Sequence, residues 1–371
     1  MNNFIFLRGL RFVDYSVFCV EKGQKTYYDP IFNKYIAYSS GQQVKRSMTE
    51  YILNELNEQF APISFFWKVT TTGKLNQSEV YSPCNPNFTD QLLGGWMMAK
   101  SKKKSVKDKD EESIEKDENT MTIKRRSPFS ISALRPLHPL MSSVNEENIS
   151  FDRSDKPDDH TVIVRDAKGK ILSDSELEKL LNDTNHIPLS PRKWIPSDNG
   201  SNSRAHGLYI YDVAIDLRTL FCVSINQKEP ELESKTIELL IGNGWNETRN
   251  IFGKCLVCPK ERREKIIEAV ASGLINWRIT SNQSRTFSLM ETLAISISDN
   301  ANKLAASIRA ELNEERERSA KPVIDKNTGA DVYVTLPCSG YIAGAGGELN
   351  ALENAETKLK ELMLAYDYEN Q

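Results

Sequence analysis

Cysteine and histidine are scarce in this chain, which has six and four of them among 371 residues. Six cysteines are too few for a disulfide scaffold. The scattered histidines form no H-E-x-x-H motif and no recognisable Cys/His constellation, and a G-x-S-x-G motif is also missing. These absences give catalysis little support, and we expect no catalytic residues, no metal and no cofactor.

A long apolar run is missing as well. No stretch approaches the ~18 consecutive apolar residues that a membrane-spanning helix needs. The opening residues, 1–8, lack the basic region and the long apolar core of a signal peptide. We therefore expect a cytoplasmic protein with no membrane partner.

One cysteine pair leaves an alternative open. Cys255 and Cys258 form a C-x-x-C motif, which occurs in zinc sites and in redox proteins. A structural zinc site usually needs a second Cys/His pair, and the next cysteine towards the N-terminus is Cys222. A zinc or redox protein built on Cys255 and Cys258 is therefore one rival hypothesis.

Charge is unevenly distributed along the chain. The net charge of −3 excludes a general polyanion binder, so a nucleic-acid site must be a local patch. Residues 119–140 hold four basic residues and no acidic one, whereas residues 291–371 hold 14 acids and 8 bases. The central region is therefore the better place to look for an anion site.

The apolar pattern predicts an α+β fold. Alternating residues favour strands over 3–38, 208–217 and 332–336, and helical spacing favours helices from residue 41 to 56 and after Pro259. A further helix is predicted to carry Leu304, Ile308 and Leu312. Residues 100–118 have no apolar period and many charges, so we expect a disordered loop there.

The start of the first helix has the groups of an anion site. Ser39 or Ser40 can cap it, and Gly41 lets a ligand approach closely. Gln42, Gln43, Lys45 and Arg46 then place two carboxamides, an ammonium and a guanidinium beside free backbone N–H groups, which suits phosphate. The same pattern fits an ordinary capped helix with solvated charges.

Two other stretches suit nucleic acid. Residues 277–287 combine Trp277, Arg278, Arg285 and Phe287 with hydroxyl and amide groups, which suit phosphates, sugar hydroxyls and base stacking. Residues 124–129 place three basic residues, including Arg125 and Arg126, before an aromatic side chain. A polar loop and a solvated charge run are the alternatives for these stretches.

The order of these stretches resembles that of the DevR-type RAMP proteins, the backbone subunits (the seventh Cas family) of CRISPR Cascade complexes. The resemblance covers most of residues 1–290. It rests on the order of Arg8–Phe12, Ser40–Arg46, Leu93–Met97, Arg125–Phe129, the strand at 208–217, and Ser284–Phe287.

The resemblance implies a hand-shaped fold. A ferredoxin-like (RRM-like) palm would carry a large finger insertion and a thumb hairpin. The palm would comprise residues 1–56, 206–225 and 258–371. The fingers would be residues 57–205, and the thumb would be residues 226–257.

The resemblance also implies a function. The chain would be a non-catalytic subunit of a type I surveillance complex for antiviral defence, forming a head-to-tail filament along the guide RNA and supporting its pairing with target DNA. Its partners would be the guide RNA, the target DNA, further copies of itself and other Cascade subunits. The residues implied in guide binding are Gln42, Gln43, Lys45 and Arg46, followed by Arg8, Arg125, Arg126, Trp277, Arg278 and Arg285.

A related enzyme is the second rival. A type III effector backbone subunit cuts target RNA with an acidic residue on its thumb-side loop. In this chain the acids of that loop are Glu229, Glu231 and Glu233, and no aspartate occurs between residues 226 and 257. Because the acid that cuts in that family is an aspartate, this composition weakens the hypothesis.

Overall fold

The structure is a computed structural model. It describes residues 2–18, 24–98, 122–146, 149–152, 161–183, 192–195, 203–280, 286–313 and 319–371. The predicted disordered loop at 100–118 and Arg285 lie outside these ranges. The described part of the chain is mixed α and β with antiparallel sheets, which confirms the α+β class.

The strands in the first half of the chain are β1 (Phe4–Ser16), β2 (Thr26–Asp29), β3 (Lys34–Ala37), β4 (Ser64–Val69), β5 (Leu75–Tyr81), β6 (Trp96–Met98), β7 (Ile123–Arg125), β8 (Phe129–Ile131), β9 (Arg135–Pro136), β10 (Ser142–Glu146) and β11 (Ile149–Asp152). Those in the second half are β12 (Arg192–Ile195), β13 (Ser203–Asp216), β14 (Cys222–Ser224), β15 (Asn246–Asn250), β16 (Gly253–Val257), β17 (Thr292–Ser298), β18 (Ile308–Leu312), β19 (Ala320–Ile324) and β20 (Asp331–Val334).

The helices are α1 (Gly41–Glu55), α2 (Thr89–Gly94), α3 (Asp174–Asp183), α4 (Leu217–Leu220), α5 (Ser234–Gly242), α6 (Lys260–Asn276), α7 (Ala301–Ser307) and α8 (Ala351–Leu364). None of the helices in the described ranges combines the length and apolarity that crossing a bilayer requires.

The main sheet is built around β1. Its order is β10-β13-β1-β17-β20, and the short strands β8 and β9 pair with the same edge of β13 as β10 does. β1 pairs antiparallel with β13 from Phe4 opposite Asp216 and with β17 from Phe6 opposite Ser298. Two sequence-distant strands therefore flank one continuous central strand.

Alternation along β1 places side chains on two faces of the sheet. Ile5, Leu7 and Val13 enter the larger apolar core, which also contains apolar residues of α1, α6 and α8. Leu10 points to the other face and enters a smaller core with Leu293 and other residues from β13, β17 and β18. The sheet is thus buried on both sides along much of β1.

Three helices cover the first face. α1 contacts α6, and α6 contacts α8. The side chains that they bury recur at helical spacing, as the amphipathic pattern predicts; they include Val44, Met48, Ile52, Ile266, Val270, Leu274, Ala355, Leu359 and Met363. α1 and α6 approach closely at Gly273, where an added Cβ would overlap the Ile52 side chain.

A buried arginine joins β1 to the end of α6. Arg11 is 0% exposed, and its guanidinium donates to the carbonyls of Trp277 (2.6 Å) and Ile275 (2.7 Å). It lies 4.2 Å from the centroid of the Trp277 ring and 5.1 Å from that of Tyr211. Carbonyls of the last helical turn have no partners within the helix, so Arg11 caps α6 with a cation.

Two segments differ from the sequence prediction. Residues 226–257 were predicted to be the thumb hairpin, but they contain α5 as well as β15 and β16, which form a three-stranded sheet with β14 from outside the segment. Leu232, Leu240 and Trp245 of this segment are buried in the larger core. The predicted helix through Leu304, Ile308 and Leu312 ends at Ser307, and Ile308–Leu312 is a strand that pairs with β19.

The hairpin that does project lies within the segment predicted as fingers. β4 and β5 form a two-stranded ribbon, here named the exposed ribbon (Ser64–Tyr81). Its register places five apolar side chains on one face, each about half exposed or more: Phe65 61%, Trp67 59%, Val69 69%, Leu75 71% and Val80 49%. Residues 129–146 of the same predicted segment instead pair with the main sheet, so its predicted boundary is wrong there.

A substitution at Gly9 tests how closely the Tyr211 ring packs against β1. A methyl group at this position would overlap the Tyr211 ring, whose hydroxyl donates to the Leu274 carbonyl at 2.8 Å. We predict that Gly9→Ala lowers the free energy of unfolding by about 1–3 kcal/mol or more, because a close-packed core cannot absorb the added volume. Urea denaturation measures this.

The control is Gly346→Ala, where the added methyl meets nothing within 4 Å. Its stability should change by no more than about 0.5 kcal/mol. Equal stability of the two variants would show that the Tyr211 ring is not held in this place.

Candidate nucleic-acid interface

The first turn of α1 is capped and carries no acidic residue. Ser40 caps it, and its hydroxyl accepts from the Gln43 N–H at 3.4 Å. Gln42 and Arg46 are exposed, whereas Gln43 and Lys45 are half-buried. The four predicted residues therefore divide into an exposed pair and a partly enclosed pair.

Gly41 has a different role from the predicted one. An added Cβ would lie 2.9 Å from the Ile131 carbonyl oxygen and 3.2 Å from the Ser132 carbonyl carbon. The chain at the end of β8 therefore occupies the space that the sequence analysis gave to a ligand. Gly41 permits close packing of α1 against this chain.

Lys45 holds three distant segments together. Its Nζ donates to the Gly94 carbonyl (3.1 Å) and to the Ser127 hydroxyl (2.7 Å). Burial lowers the pKa of Lys45, and the nearby Arg125 lowers it further. The ammonium thereby joins the start of α1, the end of α2 and the chain after β7 in one place.

Gly95 lets the end of α2 lie against the basic stretch. Its φ is +72°, and an added Cβ would lie 2.5 Å from the Arg125 carbonyl oxygen and 2.8 Å from the Ser127 nitrogen. A larger residue would be strained at this φ and would also clash with backbone. The Gly94–Gly95 turn and residues 125–127 are therefore tightly packed.

The three consecutive basic residues, Lys124 to Arg126, point in different directions. Arg125 is buried and donates to the carbonyls of Leu92, Thr219 (2.6 Å) and Cys222 (3.4 Å). Its Nε also lies 3.8 Å from the Glu231 carboxylate. A guanidinium enclosed by protein groups is not free to hold phosphate, so this predicted role of Arg125 is wrong.

Lys124 and Arg126 are exposed on either side of Arg125, as alternation along a strand requires. On α1, the guanidinium of Arg46 lies 5.4 Å from the ring centroid of Phe60. We name Gln42, Lys45, Arg46, Lys124 and Arg126 the helix-start patch. Its exposed cations are Arg46, Lys124 and Arg126, and its Lys45 ammonium is anchored by Gly94 and Ser127.

Arg8 is engaged within the sheet. Its Nε and Nη2 donate to the two oxygens of Asp212 at 2.6 and 3.1 Å, and its Nη1 donates to the Ile308 carbonyl at 3.0 Å. Asp212 also accepts from Arg135 at 2.9 Å. This network engages the Arg8 guanidinium within the sheet, so the structure does not bring it to the helix-start patch as a free cation.

The stretch after α6 packs inward. Trp277 is 0% exposed and therefore has no free face for a base, which contradicts its predicted stacking role. Arg278 is half-buried and donates to the carbonyls of Asn276 (3.0 Å) and Trp277 (2.8 Å). Burial lowers the pKa of Arg278. Arg285 lies outside the described residues.

Cys255, Cys258 and one of the loop acids, Glu231, are enclosed by the protein, whereas Glu229 and Glu233 are exposed. Cys255 hydrogen-bonds with Cys222 on the neighbouring strand β14, and burial raises the pKa of Cys258 to about 12. Glu231 accepts from the Ser224 N–H at 2.7 Å beside Arg125, and burial raises its pKa. Within the described ranges, no three His, Cys, Asp or Glu side chains lie close enough together to hold a metal ion.

The sequence analysis included Gly94 and Ser127 in two separate stretches but did not predict that both contact Lys45. No signal along the chain could have shown this, because 49 and 82 residues separate the partners. It also missed Phe4, Arg218 and Phe252, which lie at the end of the sheet where β1 begins.

Comparisons with known proteins give structural neighbours only. No family model matches the sequence, and no curated protein matches it. Among solved structures, the chain is similar to one titled "CRISPR RNA-guided surveillance complex, pre-nicking", with 9% identity and a TM-score of 0.42 over 97% of this chain and 89% of that one. It is also similar to a "CRISPR RNA-guided surveillance complex" chain, with 11% identity and a TM-score of 0.35 over 97% and 84% of the two chains.

The two neighbouring arginines provide a stability test. Arg125→Ala would leave the half-buried Glu231 carboxylate and several carbonyls without their partner, so we predict a loss of about 3 kcal/mol in the free energy of unfolding. Arg126→Ala should change it by no more than about 0.5 kcal/mol, since Arg126 is exposed. Urea denaturation of both variants measures the contrast, and equal losses would contradict these placements.

Proposed function

We propose that this protein is a non-catalytic guide-RNA-binding backbone subunit of a type I CRISPR surveillance complex. The observation that carries the proposal is the contact of Lys45 with Gly94 and Ser127. It joins three of the stretches whose order resembles the DevR-type RAMP proteins. Stretches that are far apart in sequence thus meet at one basic residue.

The helix-start patch has the chemistry of a phosphate site. Arg46, Lys124 and Arg126 are exposed cations, and the first turn of α1 carries no acidic residue that would repel an anion. Lys45 is already held by protein oxygens, so the surface is ordered before RNA arrives. Such groups read the backbone and carry little sequence preference, as a guide of variable sequence requires.

The order of the main elements supports a ferredoxin-like palm. Such a palm follows the order β-α-β-β-α-β, with its strands arranged 4-1-3-2 in the sheet. Assigning β1, β8, β13 and β17 as strands one to four, with α1 and α6 as the two helices, reproduces that arrangement. β20 then adds an edge strand, and the segments between α1 and β8 are the insertion.

Exposed arginines of the helix-start patch should set the salt dependence of RNA binding. We predict that Arg46→Ala and Arg126→Ala each reduce the slope of log affinity against log salt by roughly 0.7, because each variant removes one cation that pairs with a phosphate of a single strand. Filter binding of a guide-length RNA at several salt concentrations measures the slope.

The matched control is Lys260→Ala, which removes an exposed cation at the start of α6. For this variant, the slope of log affinity against log salt should equal that of the unaltered protein. If both arginine variants also keep that slope, the helix-start patch is not the guide site.

The exposed ribbon is the element we propose for contact with a neighbouring copy. A two-stranded ribbon is marginally stable alone in water, and five apolar side chains on one face favour coverage by protein. A contact between unlike surfaces propagates into a filament, whereas a self-complementary contact closes into a dimer. RNA would neutralise adjacent helix-start patches and raise their effective concentration.

We predict that the double variant Phe65→Ser, Trp67→Ser abolishes RNA-driven assembly while leaving the thermal midpoint unchanged within a few degrees. Both side chains are more than half exposed, so their removal costs little folding energy. Light scattering with and without a guide-length RNA gives the particle mass. Ile31→Ser is the control, since Ile31 is 82% exposed on a different hairpin. A double variant that assembles as fully as this control would rule out the ribbon contact.

The rival RNA-cutting function finds no support at Glu231, because this carboxylate is engaged by Arg125 and the Ser224 N–H. A cleavage assay on guide-complementary RNA, with divalent metal ions added, separates the two functions. Specific cutting would overturn the non-catalytic proposal.

A further inference from the structure

A row of aromatic and cationic side chains lies at the end of the sheet where β1 begins. The rings of Phe4 and Phe6 are nearly parallel, with centroids 5.9 Å apart and planes at 18°. The guanidinium of Arg218 lies 4.9 Å from the Phe4 centroid and 5.2 Å from that of Phe252. We name these four residues the stacking row.

Polar contacts hold the row in place. Asp216 binds the Arg218 guanidinium through both oxygens, at 2.8 and 2.9 Å. Asn250 donates to the Arg218 carbonyl at 3.3 Å and accepts from the Phe252 N–H at 2.9 Å. The β15–β16 turn is thereby fixed against the end of β13, and its aromatic side chain has a defined position.

Packing in the core does not explain the position of Phe252, the residue at the outer end of the row. Phe252 is 53% exposed although its backbone is ordered by Asn250. Phe4 and Phe6 are half-buried, and they alternate along β1 with the core residues Ile5 and Leu7. The row therefore presents aromatic surface to solvent from a rigid support.

A cleft of about 460 Å³ adjoins the row, and Phe4 forms part of its wall. Two lysines and two aspartates line it: Lys358 pairs with Asp331 at 3.1 Å, and Asp299 accepts from Asn2. Lys303, the other lysine, is exposed. The volume is within the range of small-ligand sites and can admit a nucleobase.

Two further cations accompany Phe252. Arg249 and Lys254 are directly opposite each other in the β15–β16 hairpin, and both are exposed. A flat aromatic surface flanked by free cations is the arrangement that recognises single-stranded nucleic acid, because bases stack and phosphates need positive charge.

We propose that the stacking row and its cleft bind unpaired bases of a single-stranded nucleic acid. One base stacks on the outer face of Phe252, and a neighbouring base enters the cleft beside Phe4. Arg249, Lys254 and Lys303 face the phosphates. This site is distinct from the helix-start patch and requires neither a guide RNA nor assembly.

The test uses the full chain and eight-nucleotide oligouridine or oligodeoxythymidine with one central 2-aminopurine, whose fluorescence is quenched when it stacks. Phe252→Leu keeps apolar volume but removes the ring. We expect about fivefold weaker binding, the lower end of the effect of one stacked base, and loss of the quench. Ile251→Ala removes a 63% exposed apolar side chain from the same turn and should change neither.

A second measurement separates this site from the proposed guide site. Arg46→Ala and Arg126→Ala should leave the quench at saturation unchanged, since they lie in the helix-start patch. Photocrosslinking of an iodouridine oligonucleotide should map to residues 249–254 or to Phe4. An unchanged quench in Phe252→Leu, or crosslinks confined to the helix-start patch, would overturn the stacking site and leave the guide site standing. Equal results with the RNA and DNA probes would assign the site to unpaired bases of either kind.

Discussion

The packing of Arg11 against Trp277 and Tyr211 is the constraint on which the rest of the structure depends. A guanidinium with no exposed surface loses its hydration, and that burial lowers its pKa to about 10. It remains favourable here because two aromatic faces and the carbonyls at the end of α6 surround it. The central strand and the longest described helix are thereby fixed to each other. Gly9 completes the arrangement, since it leaves room for the Tyr211 ring.

Burial separates the arginines that stabilise the fold from those that are exposed and can bind a ligand. Arg125 satisfies carbonyls beneath the surface, whereas its neighbour Arg126 faces solvent. Arg8 is paired with Asp212, and Arg218 is paired with Asp216. A run of basic letters is therefore a poor measure of the charge offered to a ligand. What counts is the small set of cations that the fold leaves without an internal partner.

The helix-start patch and the stacking row approach the same end of the main sheet. The Asp216 N–H donates to the Pro128 carbonyl at 2.9 Å, which links the basic stretch to the end of β13. Arg218 follows two residues after Asp216, and its guanidinium contacts the Phe252 ring in the β15–β16 turn. The end of a sheet exposes strand termini and loops, so insertions can add recognition groups there without disturbing the core.

Much of the local structure could be predicted from the sequence. The α+β class, the apolar stripe of α1 and the long strand ending at Asp216 all follow from periodicities of 3.6 and 2, which short-range sterics impose. Prediction failed where distant contacts override local pattern. Ile308 continues a helical spacing, yet pairing with β19 makes it a strand residue. Residues 226–257 carry loop-like glycines and acids, yet Leu240 and Trp245 find places in the core.

The sequence by itself determined where a cap, a glycine turn and a cluster of cations occur along the chain. Only the tertiary structure decided that Lys45 meets Gly94 and Ser127, that Trp277 is buried, and that Phe4, Arg218 and Phe252 form one row. The reason is physical. Local propensities act over a few residues, whereas the exposure and pairing of a side chain depend on segments that folding brings in from hundreds of residues away.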